Sequence, residues 1–307
     1  MQTAYITHPA CLLHDTGAHH PECAARLGAI EDRLIASGLL HYLRQEQAPP
    51  ATEEQLLRVH TQDYLAEIRA ESPGSGLIYL DPDTVMMPRT LEAALHAAGA
   101  AVLATELVLE RQAENAFCAV RPPGHHAEPD RAMGFCIFNN VAVGAAHAMA
   151  KYGLKRIAIA DFDVHHGNGT EAIFNDDDRV MLCSSFQHPF YPYADVINSN
   201  DHIINTPLSA GDGGEAFRAA VNELWLPALE RFQPEMLFIS AGFDAHREDD
   251  MSQLNLMEAD YAWVTQQLMN VAARHAQGRI VSVLEGGYDL DSLGRSVQAH
   301  IKVLSGL

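Results

Sequence analysis

Four short runs of the chain carry residue types that together can do hydrolytic chemistry. The first is Asp161-Phe-Asp-Val-His165. Asp163 and His165 stand two apart, so on an extended strand end they project to the same side. Asp244, in the run Ser240-Ala-Gly-Phe-Asp-Ala-His246, supplies a third donor from another strand end. Two carboxylates and one imidazole with a position left open match a catalytic zinc, whereas a structural zinc closes its shell with four protein ligands. Any one of these residues alone is more commonly a cap or a surface group; the combination points to a metal.

The third run is Arg121-Pro-Pro-Gly-His-His126. A surface histidine pair, or two further ligands, is the ordinary reading of adjacent histidines. Here a Pro-Gly turn after a buried strand favours general acid–base work beside the metal. A histidine used this way needs an orienting partner on its other ring nitrogen, and Asp161 and Asn168 are the candidates. The last run is Glu285-Gly-Gly-Tyr288. Gly286 and Gly287 permit a tight turn and close approach of a ligand, and Tyr288 can donate to an oxyanion. On its own such a run is a loop with a packing tyrosine; its place after a strand argues otherwise.

The elements that must position these groups alternate. Apolar β-rich runs cover Asn115–Val120, Arg156–Ala160, Val180–Cys183, Met236–Ser240 and Arg279–Leu284. Helical periodicity marks Thr90–Arg111, Asn140–Tyr152, Glu215–Phe232 and Glu258–Ala276. Continuously apolar strands alternating with helices predict an α/β fold, a mostly parallel central sheet with helices on both faces. Such a sheet gathers its functional groups at the carboxyl ends of its strands, and all four chemical runs sit at such ends. The stretch Ser72–Gly76 is expected to be an exposed loop, and no linker divides the chain, so residues 1–307 are expected to form one catalytic domain.

The 307 residues carry 20 Lys+Arg against 40 Asp+Glu, a formal charge of −20. That field disfavours nucleic acid and anionic membrane and favours cationic substrates, although solubility alone accounts for it. Five scattered cysteines (Cys11, Cys23, Cys118, Cys136, Cys183) form no CxxC pair and suit a reducing compartment. No basic segment followed by an apolar run opens the sequence, and no apolar run is expected to approach a membrane span. The expectation is a cytoplasmic protein. Of the remaining histidines, His14, His19 and His20 are expected near the pocket rim, and His96, His147, His275 and His300 as packing or surface residues.

The motifs HHPECAARL (19–27), RPPGHHA (121–127), MGFCIFNN (133–140), DFDVHHGNGT (161–170), SAGFDAH (240–246) and LEGGYD (284–289) resemble those of the histone deacetylase superfamily. That superfamily also contains acetylpolyamine amidohydrolases and acetoin-utilisation proteins. The resemblance implies an arginase/deacetylase-like fold and a zinc-dependent amidohydrolase acting on acetyl-lysine or a similar acylated amine. It implies Asp163, His165 and Asp244 as zinc ligands, and His126 as the base that activates water and then protonates the leaving amine. His125, backed by Asp161, is implied as its electrostatic partner, and Tyr288 as the transition-state tyrosine. Asn168 behind His126 resembles class II members and implies a weaker bias of His126 toward its charged form. Gly134 and Phe135 match one tunnel wall, Tyr191 the other, with Met251 at the mouth and Gly286 and Gly287 alongside. Arg26 matches an arginine of an internal channel. The resemblance further implies structural potassium at Asp161, Asp163, His165, Ser184 and Ser185, and a second monovalent site at Phe174, Asp177 and Val180.

Three rivals stand beside this reading. An arginase-like dinuclear site needs more carboxylates, and Ala245-His246 provides no second aspartate after Asp244. An acetylpolyamine amidohydrolase suits the negative charge; Met251, where an acidic gatekeeper is expected of that group, favours acyl-lysine. A non-catalytic acyl-lysine-binding module is disfavoured by the intact set of His126, Asp163, His165, Asp244 and Tyr288. No nucleic acid, membrane or organic cofactor is called for.

Overall fold

The computed structural model describes residues 2–193 and 200–307. Ten strands are found there: β1 Ala4–Thr7, β2 Arg44–Gln47, β3 Ile78–Tyr79, β4 Val85–Met86, β5 Ala116–Cys118, β6 Ile157–Asp161, β7 Val180–Gln187, β8 Ile203–Leu208, β9 Met236–Ala241 and β10 Ile280–Leu284. Eight of them form one sheet in the order β2-β1-β5-β10-β9-β6-β7-β8, every pair parallel. β3 and β4 form a separate antiparallel pair. The five strands read from the sequence are all present and wholly buried, as continuous apolar runs require between two helical layers.

The strands not read from the sequence lie toward the edges. β2 (RQEQ) alternates half-buried and exposed residues, and β8 carries Pro207 on the open edge, where a missing N–H costs no ladder bond. Neither has the apolar run that marks a central strand.

The helices are α1 Ala25–Ala36, α2 Glu53–Leu56, α3 Gln62–Glu71, α4 Thr90–Leu109, α5 Asn140–Tyr152, α6 Asn168–Phe174, α7 Gly214–Ala220, α8 Leu226–Phe232, α9 Glu258–His275 and α10 Leu290–Leu304. Phe238 of β9 reaches toward Gly144 of α5. Ser282 of β10, one step out of register with Phe238, meets His300 of α10 at 2.9 Å. Successive strand side chains point to opposite faces, so α5 and α10 cover opposite sides of the sheet. α4 packs beside α5, while α9, α10 and α1 pack in turn on the other side.

Local chemistry explains several boundaries. Asn139 caps α5 by accepting from the Ala142 N–H, and Gly153 ends it in the left-handed region. Asp289 caps α10 through the Ser292 N–H. The single helix expected over 215–232 is instead α7, a π-turn at Val221–Trp225, and α8; Pro227 just beyond the turn has no N–H for a regular ladder. One expectation needs correction. α4 has 20 residues and a mean hydropathy of 1.4 over its most apolar 18-residue window, long and apolar enough to cross a membrane, with 67% of that window buried inside the protein. Its alanine-rich faces serve as a core layer against α5 and the sheet.

The four strands that precede the chemical runs, β5, β10, β9 and β6, are adjacent at the centre of the sheet. Their carboxyl ends therefore open onto one place.

Candidate active site

β6 ends at Asp161, and the chain does not continue extended as the two-residue spacing suggested. The Asp161 carboxylate accepts from the Asp163 N–H at 3.1 Å, and the Asp163 carboxylate accepts from the His165 N–H at 2.8 Å. Two successive aspartate turns thus aim Asp163 and His165 inward. Asp163, His165 and Asp244 each offer one ligand atom, all within 4.8 Å of one another and all buried; among the described residues no other such group of three or more is found.

The donor set fits a cation. His165 Nδ1 lies 3.0 Å from Asp163 Oδ1 and 3.2 Å from Asp244 Oδ2, yet Asp244 Oδ2 is buried without a hydrogen bond aligned to it. A buried carboxylate oxygen left without a partner is costly. Burial opposes charge on His165, but Asp163 and Asp244 outweigh it and lift its pKa to about 10. Burial and the Asp163 charge push Asp244 up to about 6. The pocket between two carboxylates therefore draws positive charge.

Gly286 makes that pocket possible. Its N–H donates to Asp163 Oδ2 at 2.8 Å, and a Cβ there would lie 2.0 Å from Asp244 Oδ2. Gly286 and Gly287 consequently stand behind the Asp163–His165–Asp244 cluster instead of on the cavity lining expected of them. Arg26, fully buried, braces the same turn from below: its Nε donates to the Gly287 carbonyl at 2.6 Å and its Nη2 to the Glu285 carbonyl at 2.5 Å.

Each of the paired histidines has a side-chain partner on its Nδ1. His125 Nδ1 lies 2.9 Å from Asp161 Oδ2, and His126 Nδ1 lies 2.8 Å from Asn168 Oδ1. Burial disfavours charge on His125, but the Asp161 and Asp163 carboxylates prevail and raise it to about 10. Burial, then the charges on His125 and His165, hold His126 well below its ordinary value. His125 is thus biased toward its charged form and His126 toward its neutral one.

A cavity of about 180 Å³ opens above them, lined by Asp83, His126, Gly134, Phe135, His165, Phe190, Tyr191, Tyr193, Met251 and Tyr288. Gly134, Phe135, Tyr191 and Met251 are among the lining residues. At Gly134 (φ 56°) a Cβ would meet the His126 ring at 2.4 Å. Phe190 stacks on His165 with ring centres 5.5 Å apart, and Tyr191 stands perpendicular to His126 at 5.2 Å. The Tyr191 hydroxyl is buried without a hydrogen-bond partner. Tyr288 packs its ring between Phe135 at 5.9 Å and the Arg26 guanidinium at 4.8 Å, while its N–H donates to Asp249.

Sequence reasoning missed several members. Glu285 is buried and accepts from the N–H groups of Gly124 and His125 and from the Ser240 hydroxyl; burial pushes it up to about 7 despite His125. Its signal was a carboxylate closing an apolar strand. Glu22, within the HHPECAARL motif, forms a buried ion pair with Arg121, and Asp83, raised to about 6 by burial and Asp81, lies outside every motif. His20 packs edge-on against Phe135 at 4.7 Å, at the rim as expected. His300 is a packing residue held between Thr265 and Ser282.

The residues named for potassium fall in two places. Asp161 pairs with Ser184 across β6 and β7, with Ser185 next along the strand. The Phe174 carbonyl accepts from the Asp177 N–H and the Asp177 carbonyl from the Val180 N–H, each at 3.0 Å, in the turn between α6 and β7.

A parallel α/β sheet thus carries a buried carboxylate–imidazole cluster, two histidines and a tyrosine at one end. The histone deacetylase domain family matches residues 20–304. The chain is 37% identical to a histone deacetylase-like amidohydrolase of Pseudomonas aeruginosa, covering 100% of this chain and 87% of that one. It is 38% identical to a probable deacetylase of Archaeoglobus fulgidus over 95% and 82% of the two chains. It is also 38% identical to a polyamine deacetylase of Mus musculus, over 100% of this chain and 48% of that protein. The crystal structure of the HDA15 HD domain superposes with a TM-score of 0.94 at 35% identity, covering 99% of this chain and 88% of that one. The chain belongs to the histone deacetylase family.

Proposed function

We propose that this protein is a zinc-dependent deacylase that hydrolyses the amide of acetyl-lysine or a similar N-acyl amine. The observation that carries the reading is the buried Asp163–His165–Asp244 cluster, whose Asp244 Oδ2 accepts no aligned hydrogen bond, beside a histidine biased toward its neutral form. Asp163, His165 and Asp244 would hold zinc, which when bound polarises a carbonyl and makes water more acidic. His126 has Nδ1 committed to Asn168, so Nε2 is free to take the proton of the attacking water. The same nitrogen returns it to the leaving amine. His125 stays protonated between Asp161 and Asp163 and supplies fixed positive charge as the carbonyl oxygen gains its negative one. The Tyr288 hydroxyl donates to that oxygen. Phe135, Phe190 and Tyr191 line a narrow apolar passage that suits an unbranched methylene chain and excludes bulk water.

Acyl-lysine is the preferred substrate, with Met251 on the cavity lining in place of a charge. A second reading, an acetylated polyamine, is favoured by the Asp83 carboxylate on the same lining and by the polyamine deacetylase relative. Potassium rests on the family resemblance alone.

Turnover of an acetyl-lysine peptide and of N-acetylputrescine, measured side by side with Tyr288→Phe as control, tests the reading. Peptide turnover that drops roughly 10²-fold or more in the variant, as loss of an oxyanion donor does, supports it. Faster turnover of N-acetylputrescine would shift the substrate to the second reading, and equal activity of the variant would remove Tyr288 from the chemistry.

A further inference from the structure

Asn168 does not end the chain of hydrogen bonds behind His126. Its Nδ2 donates to Glu128 Oε1 at 2.7 Å, and the Arg131 Nη2 donates to that same oxygen, also at 2.7 Å. Glu128 is 22% exposed and Arg131 60% exposed, so the chain runs from the cavity to the surface in three side chains. The backbone holds the outer end in place. Glu128 and Arg131 face each other across a one-residue antiparallel bridge, and buried His60 donates its Nδ1–H to the Glu128 carbonyl at 3.0 Å.

An amide has a donor end and an acceptor end, and an ionised carboxylate only accepts. Glu128, the nearest of three acceptors around Nδ2 with the Met133 sulfur at 3.3 Å and the His126 carbonyl at 3.5 Å, therefore favours Asn168 with Nδ2 outward and Oδ1 toward His126. An acceptor at 2.8 Å in turn compels His126 to carry its proton on Nδ1 and to leave Nε2 bare. With the amide reversed, Nδ2 would donate to Nδ1, the ring proton would move to Nε2, and the base would face the cavity with no lone pair. A direct aspartate in place of Asn168 would need no such control, because both its oxygens accept.

We infer that Glu128 is a positioning residue that sets the tautomer of His126 through the orientation of the Asn168 amide. The inference rests on His126 being the base, and its test has one readout that does not depend on turnover. Glu128→Lys replaces an acceptor by a donor and should reverse the amide. Ring-nitrogen NMR of His126 is then expected to move from the Nδ1–H to the Nε2–H form, and kcat to fall roughly 10²-fold, the scale of a general base, with KM little changed. Glu128→Gln still offers a carbonyl to Nδ2 and should keep the Nδ1–H form and most of kcat. Asn168→Asp combined with Glu128→Lys should restore both, since one carboxylate then accepts from the lysine and from His126. Should Glu128→Lys fail to fold, Glu128→Leu with and without Asn168→Asp is read the same way. An unchanged tautomer in the single variant, or a loss that Asn168→Asp does not relieve, overturns the inference. A changed tautomer in a protein that turns over no acyl amine would uphold it and overturn the proposed reaction instead.

Discussion

His125 and His126 are neighbours in sequence with ring centres 4.1 Å apart, yet their surroundings hold them in opposite charge states. On the His125 flank the carboxylates of Asp161 and Asp163 lie directly against the ring, and burial strengthens their hold on a proton. On the His126 flank the nearest partner is the neutral amide of Asn168, with the Glu128 carboxylate one hydrogen bond further out. Buried His60, whose Nδ1 meets the Glu128 carbonyl, is likewise biased toward its neutral form, its pKa pushed down to about 4 by burial against weaker backbone hydrogen bonds. Two environments a few ångströms apart thus bias identical side chains toward opposite charge states.

Breaking the neutral side should cost the most activity. His126→Gln is expected to lower kcat roughly 10²–10⁴-fold while leaving metal content unchanged, as steady-state kinetics with metal analysis will read. If metal is lost with activity, His126 serves the cluster and not the proton. Breaking the charged side should cost stability as well. Asp161→Asn leaves buried His125 with a weakened partner, and removing one member of a buried pair costs about 3–5 kcal/mol, measurable by urea unfolding. A loss below about 1 kcal/mol would mean that His125 is not charged in the native protein.

The pH dependence of stability sharpens the contrast from the neutral side. His60 has its folded pKa lowered from 6.5 to about 4, so between those values the unfolded chain binds the proton and the native one does not. Stability should rise with pH across that window, by up to about 3 kcal/mol at ~1.4 kcal/mol per pKa unit. Unfolding of His60→Gln at pH 4.5 and 6.5 should show a smaller rise than the parent protein; an equal rise would assign the effect elsewhere. The smallest expected change comes from Asn168→Asp. It places a carboxylate directly against His126, raises that pKa, and should move the acid limb of kcat/KM upward in pH.

How legible each flank was in the sequence follows from the same physics. The central strands announced themselves because burial on both faces demands unbroken apolar runs, and each ended in a run of Asp, His, Gly or Tyr. Edge strand β2, with its sequence RQEQ, gives no such signal, because one side meets solvent. Asp163, His165, Asp244, His125 and His126 could be grouped because each lies at the end of such a strand. Glu128 could not, although it lies two residues past His126: its role depends on which way an amide points. Glu22 lies inside the HHPECAARL motif, but its pairing with Arg121 across 99 residues shows only in the fold, and Asp83 belongs to a segment without a motif. The Gly286–Gly287 turn was placed at the site, but its task is steric room behind the carboxylates, which only the packing displays.

The central claim is that Asp163, His165 and Asp244 hold the metal on which turnover depends. Metal analysis of the purified protein, joined to acetyl-lysine peptide turnover before chelation, after chelation and after zinc is restored, tests it most directly. About one zinc per chain, as a single three-residue catalytic site holds, activity lost on chelation and regained with zinc, and neither in Asp244→Asn are predicted. Full turnover by the chelated protein, or zinc bound equally well by Asp244→Asn, would contradict it.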